Sequence, residues 1–329
     1  FRRGRLDAAL ADMELAIDRV GELPSAHFEL GRLYLGIYLR EHAAAQAHLS
    51  HVGAHDHLVA HVRRIDQAVV AFEQARRLGG GPGWQTDFAR AVERMAHGDL
   101  DGCVEVCDRV LAADADVEDV WKLRGDALRA AGRDPIPSYD RAAEIRRSFH
   151  EAHFAKAQWH FEGGRLEAAR ASLARAIEIC SEYPEAIALS ARTLLAAHRP
   201  EEARRAAARA RALAPEPYAA TIAAAEAELA LGRPDAALER LAEAGRLEGC
   251  QNRVALLEAK SLLERGRLAY ARGGDGRADL EAVVARGREE GANTSDNEPW
   301  RVVVEAAAAE LDRRSRTGAK PTDALASDA

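Results

Sequence analysis

Residues 150–251 decide the fold. They read HEAHFAKAQWHFEGGRLEAARASLARAIEICSEY from His150, PEAIALSARTLLAAHRPEEARRAAARARALAPEP from Pro184 and YAATIAAAEAELALGRPDAALERLAEAGRLEGCQ from Tyr218, three lines of equal length with like residues in like slots. The eighth slot is Ala157, Ala191 and Ala225. The twentieth is Ala169, Ala203 and Ala237, and the twenty-seventh is Ala176, Ala210 and Ala244. The fifteenth to seventeenth are Gly164-Arg165-Leu166, His198-Arg199-Pro200 and Gly232-Arg233-Pro234. A unit of this length is one supersecondary element that cannot bury its apolar face alone and must stack on its neighbours.

Each unit holds two runs of about a dozen residues with apolar side chains at helical spacing, parted by a short break. At 150 the first run is Phe154, Ala157 and Phe161, and the second is Leu166, Ala169, Leu173, Ala176 and Ile177. Gly164 stands where a helix C-terminus favours a residue able to take positive φ. Pro200 and Pro234, each followed by an acid, suit a first helical turn, where proline loses no hydrogen bond and a carboxylate meets the positive end of the helix dipole. Alanines at slots 8, 20 and 27 let two helix axes approach closely.

Small residues at 8, 20 and 27, with Gly near 15, resemble the tetratricopeptide repeat (TPR) family. The unit at Glu118 carries Trp121, Gly125, Leu128 and Gly132 at slots 4, 8, 11 and 15, close to that family's first-helix pattern, with Arg124 where the family has Leu. The resemblance implies an all-α, right-handed α-solenoid of antiparallel helix pairs.

The rest of the chain follows the same register. Gly4-Arg5-Leu6, Ala9, Met13 and Ala16 read as a second helix without its first, so the chain, which opens at Phe1 without Met, is expected to be a fragment. A first helix follows Pro24; its second is delayed until Ala68, Phe72 and Ala75. The insert at 39–64 reads as a lengthened hairpin reversing near Gly53. It holds His42, His48, His51, His55, His57 and His61. Two readings stand for these histidines. His57 and His61 share a helix face and Asp56 could add an oxygen to a metal site; the other reading is an amphipathic hairpin with polar histidines. No metal is assigned, because no third ligand stands at fixed spacing.

The glycine run at 79–83 lacks the Gly-Lys-Ser/Thr of a phosphate loop. Cys103 and Cys107 occupy slots filled elsewhere by Ala and Leu, which makes them core. The unit at 252 is expected to have a first helix lengthened to Arg272 and a second at 277–290. A capping helix is expected at 299–314, so the solenoid covers 1–314 and a disordered tail 315–329.

Composition narrows the function. Net charge is −7 and the arginines are interspersed with acids, which speaks against nucleic acid as partner. Of 46 basic residues only Lys122, Lys156, Lys260 and Lys320 are lysine; the arginine surplus reads either as phosphate recognition or, more simply, as the codon usage of a GC-rich bacterial genome. No run approaches the ~18 apolar residues of a membrane span. Scattered cysteines favour a reducing compartment, and a cytoplasmic location with no membrane partner is expected. Nucleophile elbow, kinase loops, zinc signatures and Rossmann fingerprint are all missing from the sequence, so no catalytic residue and no cofactor are assigned to these residues.

What the TPR resemblance implies is a protein or peptide partner held on the face formed by first helices at slots 2, 5, 9, 12 and 13. The expected partner-binding groove therefore includes Phe154, Gln158, Phe161, Arg192, Glu226 and Lys260. Slots 5 and 12 have a second reading, in which they only pack helix on helix. The family's chaperone-tail clamp needs Lys and Asn at slots 5 and 9, which this chain lacks. The run His27–Tyr34, the long hairpin and Ala68–Phe72 also look like TPR regions C-terminal to bacterial serine/threonine kinases. That resemblance implies a regulatory or substrate-docking arm whose kinase domain lies upstream in the same polypeptide.

Overall fold

The structure is a computed structural model that describes residues 3–20, 23–48, 51–80, 83–213, 218–244, 251–289 and 298–317. The described residues form α-helices and no strand. Contacts divide the chain into unit 1, Phe1–Ala186, and unit 2, Ile187–Ala329, with the division inside one helix.

Unit 1 opens with α1 (Arg3–Val20), followed by the pairs α2 (Pro24–His48) with α3 (His51–Arg77), α4 (Gly83–Ala96) with α5 (Leu100–Ala113), α6 (Glu118–Ala130) with α7 (Ile136–Ile145), and α8 (His150–Glu162) with α9 (Leu166–Ile179). Helix α10 (Pro184–Ala196) crosses the division. Unit 2 continues with α11 (Pro200–Leu213), α12 (Tyr218–Ala230) with α13 (Pro234–Ala244), α14 (Gln251–Ala271) with α15 (Arg277–Glu289), and α16 (Glu298–Thr317). Helices α3, α5 and α7 of unit 1, and α13 and α15 of unit 2, each pack on the helix before and on the helix after. Successive first helices also touch, α4 with α6, α6 with α8, and α12 with α14. This is the stacking of a repeat array.

The short breaks have a common backbone cause. Slot 15 takes positive φ in five consecutive units, at Gly98, Gly132, Gly164, His198 and Gly232. At α8 the Arg165 amide donates to the His160 carbonyl at 2.8 Å and the Gly164 amide to that of Phe161 at 3.0 Å, the bonding of a Schellman C-cap. The pattern recurs at α10, where Arg199 donates to Leu194 and His198 to Leu195. His198, at φ 57°, is the one non-glycine residue with positive φ among the described residues. Its Cβ crowds the backbone there, so His198→Gly is expected to raise stability by about 1 kcal/mol, visible as a higher urea midpoint at unchanged slope.

Nine alanines at slots 8, 20 and 27 of the three aligned units are at most 2% exposed. The close approach expected from residue size is therefore present. Slot 8 also adjusts to slot 24. Where slot 24 is aromatic, slot 8 is glycine: a Cβ on Gly31 would lie 2.9 Å from the Phe72 ring, and one on Gly125 would lie 2.5 Å from Tyr139. Where slot 24 is Leu173 or Leu241, slot 8 is Ala157 or Ala225, all four buried.

Three expectations need correction or a limit. Helix α2 ends at His48 and α3 starts at His51, so Gly53, near which the reversal was expected, lies inside α3. One glycine costs a helix only about 1 kcal/mol, which packing against a partner helix outweighs. Helix α16 runs on through Ser315 to Thr317, taking in the first residues assigned to the tail, while 318–329 lie outside the described residues. The side chains of the insert histidines, from His42 to His61, also lie outside them, so their metal and amphipathic readings both stay open.

Candidate functional site

The slots expected to meet a partner recur every three or four residues along first helices and so share one side of each helix. Of the six residues assigned to the groove, Phe154, Gln158 and Phe161 lie on α8 in unit 1. Arg192 on α10, Glu226 on α12 and Lys260 on α14 lie in unit 2. The two sets are therefore described separately.

In unit 1 all three are half-buried. The Phe154 ring meets Tyr183 edge-on, 5.1 Å between centroids, and His150 meets the same Tyr183 at 4.9 Å and 89°. Burial, with Glu185 and Glu151 nearby, pushes the Tyr183 phenol well above its usual range, so it stays a neutral packing group. Burial and Arg175 hold the His153 imidazole below its ordinary value, and burial and Arg165 do the same for His160. Arg165 Nε donates to His160 Nδ1 at 3.1 Å, consistent with a neutral acceptor ring. Helix α8 thus carries Phe154 and Phe161 beside two imidazoles, His153 and His160, held toward their neutral form.

Slot 5 rings spend much of their surface on internal packing. Phe28 meets Phe72 at 5.5 Å, and Phe88 meets Trp84 at 6.5 Å, both edge-on. In unit 2 the same slot sinks further: Ala188 and Ile222 are buried, and only Leu256 is half-exposed. Helix α12 is nearly all apolar, with most of its residues buried, as expected of a helix surrounded on several sides. Slot 12 is mixed, with Phe161, Leu195 and Leu229 half-buried and Leu263 buried. At slot 9 none is buried: Gln158, Arg192 and Glu226 are half-buried and Lys260 is exposed.

Helix α6 holds a polar rung that the sequence reading did not single out. Its slots 5, 9 and 12 are Lys122, Asp126 and Arg129. Lys122 Nζ donates to Asp126 Oδ2 at 2.6 Å, and the Tyr139 hydroxyl donates to Asp126 Oδ1 at 2.9 Å. Arg129 Nη1 donates across to Glu162 of α8 at 3.1 Å. This rung separates Phe88 and Met95 on α4 from Phe154 and Phe161 on α8. The signal for it lay in the slots themselves, once the unit at 118 was aligned with the others.

Among the described residues no group of three His, Cys, Asp or Glu could hold a metal ion, and no helix is long and apolar enough to cross a membrane. Cys103 and Cys107 are buried free thiols, as their slots suggested. A hydrogen bond with Cys103 and burial raise the Cys107 thiol far above its usual range, which makes it inert packing rather than a nucleophile.

The chain matches no family model and no curated protein. Among solved structures it is similar to human IFIT1, determined as a dimer with PPP-AAAA, over 96% of this chain and 69% of that one, at 14% identity and a TM-score of 0.61. It is similar to yeast Tom70 over 94% of this chain and 60% of that one, at 14% identity and a TM-score of 0.55. A tetratricopeptide repeat protein from Parabacteroides merdae aligns over 77% of this chain and 98% of its own length, at 11% identity and a TM-score of 0.51. Identities this low establish the fold alone.

Proposed function

We propose that this chain, which has the tetratricopeptide-repeat fold, is a scaffold that binds a protein partner, as an extended peptide or a helix, on the exposed side of its first helices. The observation that carries the reading is slot 9. In unit 2 it keeps partial or full exposure, with Arg192 and Glu226 half-buried and Lys260 exposed, while slot 5 of the first two of these repeats is buried. Its side chains differ from repeat to repeat, so specificity would come from an ordered series of polar contacts rather than from a carboxylate clamp. Phe154 and Phe161 would add apolar contact in unit 1. These residues would bind and not catalyse.

The test is capture of an identified partner by wild type and by Arg192→Glu plus Lys260→Glu, with thermal unfolding as a control for folding. Capture is expected to fall at least about tenfold, the effect of losing ~1.4 kcal/mol of contact. Equal capture by a folded variant discards the assignment of slot 9. A second reading rests on the run at 27–34 and on the long α2–α3 hairpin: a regulatory or docking arm of a bacterial serine/threonine kinase. The coding sequence upstream of Phe1 tests it.

A further inference from the structure

Every second helix of unit 1 except α9 carries an acid at slot 25: Glu14, Glu73, Asp108 and Asp140. Three of them meet a base at slot 7 of the following first helix. Glu73 of α3 accepts from Arg90 Nη2 of α4. Asp108 Oδ1 of α5 accepts from Arg124 Nε of α6 at 2.7 Å, and Asp140 Oδ1 of α7 accepts from Lys156 Nζ of α8 at 2.5 Å. The fourth, Glu14, accepts from the Tyr34 hydroxyl of α2. Slot 7 is the position where the TPR pattern has Leu. Here the bases are half-buried, at 34%, 25% and 26% side-chain exposure, and the acids range from 26% to 52%.

Arg124 shows how far the base is tied in. It also donates to Ser138 Oγ at 2.9 Å, and its guanidinium lies 5.9 Å from the Trp121 ring. In unit 2 the corresponding positions are Ala208 with Ala224 and Ala242 with Glu258, which cannot pair.

We propose that these three pairs form an electrostatic latch, built at one repeated register, that holds α4, α6 and α8 each against the second helix before it and slackens as ionic strength rises. Geometry is the ground for it. An isolated surface pair adds little, but three pairs in the same register, each with a half-buried base, act on one degree of freedom, the separation of successive repeats. Removing the attraction leaves bases at positions where other arrays place an apolar side chain, so nothing replaces the lost contact. Rising salt shortens the screening length from over ~10 Å to about 3 Å between roughly 0.05 M and 1 M, and that weakens all three pairs together.

The test uses the full chain and residue-resolved amide hydrogen exchange. Amides of α4 to α8 are expected to open on the order of fivefold more often at the higher salt. The variant Glu73→Gln, Asp108→Asn, Asp140→Asn is expected to show that opening already at low salt and little further response. Asp140→Lys alone should raise opening in α7 and α8, and adding Lys156→Asp should reverse most of the rise. No salt response in wild type overturns the latch. So does a full salt response in the carboxamide variant, which would assign it to other pairs such as Arg133 with Asp101, and so does a charge-swapped double variant no better protected than the single one.

Discussion

Gly125→Ala is expected to lower the stability of the chain by about 2 kcal/mol, although glycine to alanine inside a helix ordinarily adds stability. The added methyl would stand 2.5 Å from a ring carbon of Tyr139, whose side chain is 1% exposed and has nowhere to retreat. The ring is also fixed at its far end by the hydrogen bond to Asp126, which Lys122 shares. Tyr139→Leu alone should cost about 2–3 kcal/mol, through a cavity beside Gly125 and the loss of that bond. The double variant recreates the pair used at Ala157 with Leu173 and at Ala225 with Leu241. It is expected to be at least ~1 kcal/mol more stable than the sum of the single changes predicts. Urea unfolding followed by circular dichroism measures all three. Strict additivity would show that slots 8 and 24 do not pack as a pair.

Ala207→Leu should be the more damaging change, at about 3 kcal/mol. Leucine is the native residue at the same slot in two neighbouring units, as Leu173 and Leu241, so sequence alignment alone would accept it. In this unit, however, Ala191, Ala207, Ala223 and Ala224 form one buried cluster in which no member is more than 6% exposed. Alanine there marks helix axes that lie close together, and a leucine would have to force α10, α11 and α12 apart. The reciprocal change, Leu173→Ala, should cost a similar ~3 kcal/mol for the opposite reason, an unfilled volume. If Ala207→Leu unfolds at or above the wild-type urea midpoint, the cluster contains spare space and the close-approach account of the alanines fails at this unit.

Much of this architecture was legible because it depends on backbone and side-chain size, which period 34 displays directly. Helix α14 ends at Ala271 and α15 spans Arg277–Glu289, each within a residue of expectation, since Gly at the breaks acts locally. The nine alanines were legible for the same reason. The candidate site was less so. Whether a slot 5 residue is open or buried depends on how near the adjacent first helix comes. That distance is set by residues such as Ala224 in another repeat, so Ala188 and Ile222 could not be told from Phe154 by position. Arg124 looked like a departure from a pattern, when it is one half of a pair whose other half, Asp108, lies on the preceding helix. The spacing of sixteen residues that joins Asp108 to Arg124 and Asp140 to Lys156 was present in the sequence, but it crosses repeat boundaries and is invisible within any single unit.

Helix α16 carries a consequence for how such an array could be lengthened. Trp300, Val303 and Ala307 face inward with the spacing of Ala152, Ala155 and Trp159 at slots 3, 6 and 10 of α8. That register puts Glu305 at slot 8, the crossing point that is Gly or Ala in the other first helices, with Arg301 one turn earlier; both are exposed. A further hairpin stacked in phase would have to dehydrate a carboxylate and a guanidinium at the point of closest approach, a loss of several kcal/mol that their own loose pairing, at 3.9 Å, would not offset. An engineer wishing to graft additional repeats beyond Thr317 would therefore begin by making position 305 small.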